Sequence, residues 1–116
     1  MRRVEVMRQD GSRLCEAEVA ENPITRMVGL LGRKSLAEGH GLLIDPCGSV
    51  HSFFMRFPID VLYLDRADVV VKAVTVPPFR MSSGRSGAKR VIELPLGTIE
   101  RRKVVTGEQL EISPIP

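Results

Sequence analysis

The stretch Cys47–Asp65 concentrates side chains that could bind a ligand or transfer a proton. It reads C-G-S-V-H-S-F-F-M-R-F-P-I-D-V-L-Y-L-D and holds three of the four phenylalanines, the only tyrosine, and one each of the two histidines and two cysteines. Cys47 and His51 could act as a nucleophile and its base, since a catalytic thiol needs a base within hydrogen-bond reach. They could also ligate a metal, but two ligands are too few and His40 is the only other histidine. We therefore predict no metal and no cofactor.

His51 and Asp60 form a second possible pair, because a carboxylate can orient an imidazole. If residues 57–58 formed a two-residue hairpin loop, Asp60 would lie opposite Met55. At ~3.3 Å per residue, His51 and Asp60 would then be more than ~10 Å apart. Proline disfavours such a regular turn, so a bent corner leaves the contact open. Alternatively, Asp60 pairs with an arginine such as Arg26, because an unpaired buried carboxylate is costly.

A small-ligand site would form if several of these polar groups converged with Glu93 on one pocket. Polar groups set in an apolar wall are the usual form of such sites. Strand alternation predicts that Phe53 and Met55 share the face of His51. Arg80 belongs to a long Ser-, Gly- and Arg-rich loop over residues 79–89, which could cover the pocket and favour an anionic ligand. The candidate ligand-binding residues are Arg26, Cys47, His51, Phe53, Met55, Asp60, Arg80 and Glu93.

The elements that must position these residues are mostly strands. Val4 and Val6 alternate with polar residues, and the following Asp-Gly at positions 10–11 is a strong hairpin signal. A two-residue loop there pairs Val6 with Cys15 and Val4 with Ala17, and makes Cys15 a small buried hydrophobe. Short apolar runs separated by turn residues predict a β-meander from about 42 to 76. Within it, Val61 lies on the face opposite Asp60.

Two segments have helical signals. In Thr25–Gly32 apolar residues recur at i, i+3 and i+4, and Thr98–Val105 could be a short helix with Thr98 as its N-cap. We predict a single α+β domain over residues 1–116, mostly β, with a curved or barrel-like antiparallel sheet. It carries one or two short helices, with Thr25–Gly32 packed against one opening of the sheet.

The composition of the chain limits the kinds of partner that we expect it to bind. The chain has 116 residues, 43% of them hydrophobic, and a net charge of +3, which is typical of one globular domain. No run approaches the ~20 apolar residues of a membrane-spanning helix, and Glu5 and Arg8 interrupt the start. We therefore expect a cytoplasmic protein that does not bind membranes. The basic runs lack interleaved aromatic residues, which disfavours nucleic acid. The expected partner is a small polar or anionic ligand, or a protein.

Three blocks carry a resemblance to a known family. They are T-R-M-V-G-L-L-G-R at Thr25–Arg33, H-S-F-F-M-R-F-P-I-D within Cys47–Asp65, and V-I-E-L-P-L-G at Val91–Gly97, followed by Gly107-Glu108. With these blocks in order, the chain resembles the bacterial and archaeal family called domain of unknown function 192. The resemblance implies a compact, mostly β domain with one or two short helices. It implies no activity.

Three classes of function follow. The first is a non-enzymatic ligand-binding or accessory module with a pocket near His51 and Asp60. The second is a small hydrolase- or transferase-type enzyme that uses His51, Cys47 or Asp60. The third is a purely structural or protein-interaction module. A pocket with a perturbed titratable group would favour the enzyme, whereas a pocket filled by the chain's own Phe53 and Met55 would favour the third class.

Overall fold

The computed structural model describes residues 2–20, 37–45, 49–51, 57–77, 81–84 and 87–116. These ranges contain nine strands and one short helix. In chain order the elements are β1 (Arg3–Arg8), β2 (Arg13–Ala20), β3 (His40–Ile44), β4 (Ser49–His51), β5 (Ile59–Leu64), β6 (Val70–Val76), β7 (Met81–Ser83), β8 (Arg90–Pro95), α1 (Thr98–Arg102) and β9 (Leu110–Pro114). The prediction of a mostly β fold with a curved sheet and a short helix is confirmed.

Seven of the strands form one sheet in the order β6-β5-β8-β3-β2-β1-β9, and β4 and β7 form a separate two-stranded ribbon. Neighbouring strands are antiparallel except β2 and β3, which are parallel. The sheet curls into a half-barrel. Its two edges meet at one end, where the Val70 N–H donates to the Glu108 carbonyl (2.9 Å) and the Gly107 N–H donates to the Val70 carbonyl (2.7 Å).

The sheet has two buried faces. The inner face, the concave side of the half-barrel, is a cluster to which all seven strands contribute, including Val6, Leu43, Leu62, Ile92 and Leu110. The outer face is a second cluster, made of Ala20, Leu42, Ile44, Ile59, Val61, Tyr63, Val76 and Val91. All six residues of β5 are buried, so this strand is covered on both sides. Its predicted alternation is confirmed: Leu62 and Leu64 face inward, and Val61 and Tyr63 face outward.

The first hairpin has the predicted strand register but a different turn. Val6 pairs with Cys15 and Val4 with Ala17, and Cys15 is buried. The Arg8 N–H donates to the Ser12 carbonyl (2.8 Å), which closes a three-residue loop instead of the predicted two-residue one. A one-residue bulge before Cys15 restores the register. A three-residue loop with glycine at positive φ is a common alternative to the two-residue turn.

The predicted β-meander over 42–76 is wrong. Only β5 and β6 form a hairpin there, because β8 inserts between β3 and β5 and β3 lies parallel to β2. The apolar runs of β3 and β5 are buried on both faces, which is typical of central strands that need a neighbour on each side. Since β6 and β8 occupy both edges of β5, β4 cannot pair with it. A two-residue hairpin at 57–58 is therefore excluded.

Helix α1 lies within the range predicted for the C-terminal helix. Its N-cap is Gly97 at φ 90°, not Thr98, and the Thr98 hydroxyl donates to the Pro95 carbonyl instead (2.7 Å). Ile99 of α1 and Val104 just after it pack against the inner face. The predicted helix Thr25–Gly32 lies outside the described residues. No helix of the described ranges is long and apolar enough to cross a bilayer.

Candidate functional site

Two acidic side chains are almost completely buried in the described part of the sheet. Asp60 on β5 is 1% exposed, and Glu93 on β8 is 5% exposed. The two strands are neighbours, but Asp60 pairs with Leu94 and Glu93 with Val61. Because side chains alternate along a strand, this one-residue offset directs the two carboxyl groups to opposite faces. Their expected convergence on one pocket does not form.

Asp60 faces inward, and the fold uses both of its oxygens. Oδ1 accepts a hydrogen bond from the Thr75 hydroxyl on β6 (2.7 Å). Oδ2 accepts one from the Ile99 N–H (2.9 Å), a first-turn group of α1 that has no partner within the helix. Asp60 thus joins the helix to the sheet. In the described part of the chain, a hydroxyl and a backbone N–H take the role that we expected an arginine to play.

Glu93 faces outward into an apolar row. Its direct cross-strand neighbours are Leu42 on β3 and Val61 on β5, and both belong to the outer cluster. Among the described residues, none forms a hydrogen bond or ion pair with its carboxyl group. Burial raises the pKa of Glu93 from 4.5 to about 7, because an apolar environment disfavours the charged form. At neutral pH this carboxyl group is therefore close to the midpoint of its titration.

Gly41 fixes the backbone behind this carboxyl group. A Cβ at Gly41 would lie 2.9 Å from the Glu93 carbonyl oxygen and 3.1 Å from Leu94 Cδ2. Such contacts are too close for any side chain, so only glycine lets β3 approach β8 at this point. The two strands are therefore packed closely together at Glu93.

The β4–β7 ribbon is anchored on the same outer face. The Ser83 carbonyl at the end of β7 accepts a hydrogen bond from Lys72 Nζ (2.7 Å), and Lys72 Nζ also lies 5.6 Å from the centre of the Tyr63 ring. A Cβ at Gly84 would lie only 2.6 Å from Tyr63 Cδ1. The ribbon, whose first strand ends at His51, is thus attached to the face that carries Glu93 of β8.

Of the remaining predicted site residues, one lies in a described strand and the others lie outside the described residues. For His51 the backbone lies in β4. Outside the described residues lie Arg26, Cys47, Phe53, Met55 and Arg80. Cys15 is a free thiol whose pKa burial raises to about 12. A thiol with so high a pKa is not a nucleophile at neutral pH.

A polar cleft of about 270 Å³ lies at the start of β3. Its lining includes Glu16, Glu18 and the exposed His40, together with Arg3, which forms an ion pair with Glu16 (2.6 Å). His40 is the first residue of β3. The described residues hold no group of three or more potential metal ligands.

The sequence of this chain matches a known protein family. The model of the DUF192 family, whose description is "Uncharacterized ACR", matches residues 5–112. The chain belongs to the DUF192 family. The UPF0127 protein of Pyrococcus abyssi is 36% identical over 102 residues, which span 83% of this chain and 85% of that protein. The UPF0127 protein of Pyrococcus furiosus is 36% identical over 99 residues, with the same coverage of 83% and 85%.

Two solved structures share the fold of this DUF192 protein. A protein from Sinorhizobium meliloti, named a "putative transcription regulator", superposes with a TM-score of 0.80 at 26% identity, over 95% of this chain and 92% of its own. A protein of unknown function from Novosphingobium aromaticivorans gives a TM-score of 0.78 at 19% identity, over 94% and 83%. Neither comparison assigns an activity to the buried carboxyl groups.

Proposed function

We propose that this DUF192 protein is a non-enzymatic binding module that holds a small polar ligand on its outer face, with Glu93 as the polar anchor. The observation that carries the proposal is the burial of this carboxyl group without a hydrogen-bond partner among the described residues. Buried polar groups in native proteins almost always have a partner. A ligand that bonds to this carboxyl group would give a physical reason for an acid in an apolar row.

The surroundings of Glu93 support a ligand site. Leu42 and Val61 are its apolar neighbours on the adjacent strands, and a polar group set among apolar side chains is typical of small-molecule sites. Asp60 is removed from the proposed site, because the fold occupies both of its carboxyl oxygens.

Thermal unfolding against a panel of metabolites, oligosaccharides, nucleotides and duplex DNA tests this proposal. DNA is included because the structural neighbour from S. meliloti is named a transcription regulator. A ligand at ~100 times its Kd stabilises the folded protein by ~2.7 kcal/mol, which raises the Tm by several degrees in a domain of this size. We expect a ligand whose effect is lost in Glu93→Gln.

The matched control is Asp60→Asn, which changes the other buried carboxyl group to an amide on the opposite face. The ligand's effect should persist in this variant even if its Tm is lower. A panel without any stabilising ligand, or a ligand that stabilises Glu93→Gln as strongly as the wild type, would contradict the proposal.

A small hydrolase- or transferase-type enzyme is the second candidate, and one observation favours it. A carboxyl group that titrates near pH 7 is well placed to act as a general acid or base. We expect such an activity to depend on Glu93 and to survive Asp60→Asn. Turnover of chromogenic esters, phosphates and glycosides by the wild type, and its absence in Glu93→Gln, would favour the enzyme over the binding module.

A further inference from the structure

The polar cleft at the start of β3 offers space for a ligand at a place separate from Glu93. Its volume is about 270 Å³, just below the ~300–1,000 Å³ of most small-molecule sites. The cleft therefore has room for one compact molecule, of the size of a single sugar ring, rather than for a chain of several.

Three neighbouring strands position the polar lining of the cleft. Ala17 of β2 belongs to the inner face, so alternation directs Glu16 and Glu18 outward. Their direct cross-strand partners are His40 on β3, beside Glu16, and Arg3 on β1, beside Glu18. With neighbouring strands ~4.8 Å apart, these four side chains lie within a patch ~10 Å wide.

Arg3 and Glu16 form an ion pair within this lining. Arg3 Nη1 lies 2.6 Å from Glu16 Oε1, and the Arg3 side chain is 57% exposed. A guanidinium carries several N–H donors and a carboxylate accepts several hydrogen bonds, so this contact leaves both groups with further bonding capacity. The ion pair thus places donors directly beside acceptors in the cleft.

Opposite charges offset one another in the cleft, and this limits the charge of a ligand. An anion would lie beside the Glu16 and Glu18 carboxylates, and a cation would lie beside the Arg3 guanidinium. A hydroxyl, in contrast, both donates and accepts hydrogen bonds. Hydroxyls can therefore bond to the two members of the ion pair without separating them.

From this arrangement we infer that the cleft binds a neutral polyol with hydroxyls on neighbouring carbons, such as a monosaccharide or a cyclitol. One hydroxyl donates to the Glu16 carboxylate, and its neighbour accepts from the Arg3 guanidinium. The exposed His40 imidazole lines the same cleft and offers a bond to a third hydroxyl. This inference goes beyond the proposed function, because Glu93 lies two strand spacings, or ~10 Å, from Glu18.

The small size of the ligand sets the expected affinity. At the binding efficiency of drug-sized ligands, a ring with about twelve non-hydrogen atoms has a Kd on the order of 1 mM. Loss of one of the two neighbouring hydroxyls removes a hydrogen bond to a charged group, which corresponds to about tenfold in affinity.

The experiment records ¹H–¹⁵N NMR spectra of the full chain during titration with myo-inositol and D-glucose to ~50 mM, well above the expected Kd. The matched probe is cis-cyclohexane-1,3,5-triol, a ring of the same size without hydroxyls on neighbouring carbons. Glycine and acetate represent zwitterionic and anionic ligands. We expect inositol and glucose to shift the amide signals of Glu16, Glu18 and Gly41, and the triol to bind about tenfold more weakly.

Two arginine variants test the ion pair. Arg3→Gln should abolish these shifts, whereas Arg66→Gln, a matched change of an exposed arginine in the turn after β5, should retain them. Exposed ion pairs contribute little to stability, so Arg3→Gln should remain folded. Glu16→Ala is a second variant with the same expected loss. Glu93→Gln should retain polyol binding, which separates this cleft from the site of the proposed function.

Each other outcome overturns a stated part of the inference. A triol that binds as tightly as inositol would show that neighbouring hydroxyls are not recognised. Stronger shifts with glycine or acetate would show that the ligand is charged rather than neutral. Binding that persists in Arg3→Gln, or the absence of shifts with every probe, would show that the cleft is not the site. A metabolite panel without a ligand that depends on Glu93 would contradict the proposed function alone.

Discussion

Asp60 and Glu93 lie on adjacent strands of one sheet, and both are buried, but their surroundings differ in one decisive respect. Asp60 accepts hydrogen bonds from the Thr75 hydroxyl and the Ile99 N–H on the inner face. Glu93 lies between Leu42 and Val61 on the outer face, where no described residue bonds to its carboxyl group. Burial alone therefore does not distinguish the surroundings of these two acids. The hydrogen-bond partners do.

The largest effect should come from Asp60→Ala. The substitution removes both hydrogen bonds and leaves the Ile99 N–H and the Thr75 hydroxyl without the acceptor that the fold provides. Breaking a buried network of this kind costs about 3–5 kcal/mol. Urea unfolding should show this loss in the free energy of unfolding.

The control for this prediction is Asp60→Asn, whose amide oxygen can still accept one of the two bonds and whose loss should be smaller. A loss below about 1 kcal/mol in Asp60→Ala would show that Asp60 does not hold α1 to the sheet.

Glu93 should instead make the free energy of unfolding depend on pH. Its pKa is raised from 4.5 in the unfolded chain to about 7 in the fold. The folded state therefore retains a proton that the unfolded state loses as pH rises between these values. The stabilisation that comes from protonated Glu93 is fully present below about pH 4.5 and is lost as the pH rises to about 7. The difference between 4.5 and about 7 corresponds to about 3 kcal/mol.

Urea unfolding of wild type and Glu93→Gln from pH 4 to pH 8 isolates this contribution, because all other titrating groups are common to both proteins. Relative to Glu93→Gln, the wild type should lose about 3 kcal/mol across this range. A difference that does not change with pH would mean that Glu93 is solvated or paired in the fold.

A smaller effect should follow from Gly41→Ala, which tests the packing behind Glu93. The new methyl group would lie 2.9 Å from the Glu93 carbonyl oxygen, so β3 and β8 must separate. Overpacking of this kind costs about 1–3 kcal/mol, measurable by urea unfolding. An Ala variant as stable as the wild type would show that the two strands do not need this close approach.

The smallest effect should come from Lys72→Met, which removes the hydrogen bond to the Ser83 carbonyl and the contact over the Tyr63 ring. Each of these interactions contributes about 1 kcal/mol or less at an exposed site. The exposed Lys89, changed to Met, is the matched control and should leave stability unchanged. Equal Tm values for the two variants would argue against Lys72 as an anchor of the ribbon.

Local patterns predicted the local parts of this fold. The hairpin signal predicted the pairing of Val6 with Cys15, although a bulge and a three-residue loop replace the predicted two-residue turn. Alternation along β5 predicted the faces of Val61 and Leu62. The insertion of β8 between β3 and β5 was not predictable in this way, because a strand buried on both faces carries no signal that names its neighbours. The predicted β-meander over residues 42–76 was wrong for this reason.

The same limit explains what the sequence revealed of the site. Glu93 was a candidate because it could converge with the other polar groups on one pocket. Whether it shares a face with Asp60 depends on the register between β5 and β8, which are far apart in the chain. One partner of Asp60 is the backbone N–H of Ile99, and no residue type signals such a contact.

The central claim is that Glu93 is buried in an apolar environment in which no described residue bonds to its carboxyl group. A ¹³C NMR titration of the side-chain carboxyl groups tests it most directly, with Glu93→Gln used to assign the Glu93 resonance. A titration midpoint of about 7 is the predicted result. A midpoint at 4.5 or below would contradict the claim, because it would show that water or a hydrogen-bond donor already stabilises the ionised form.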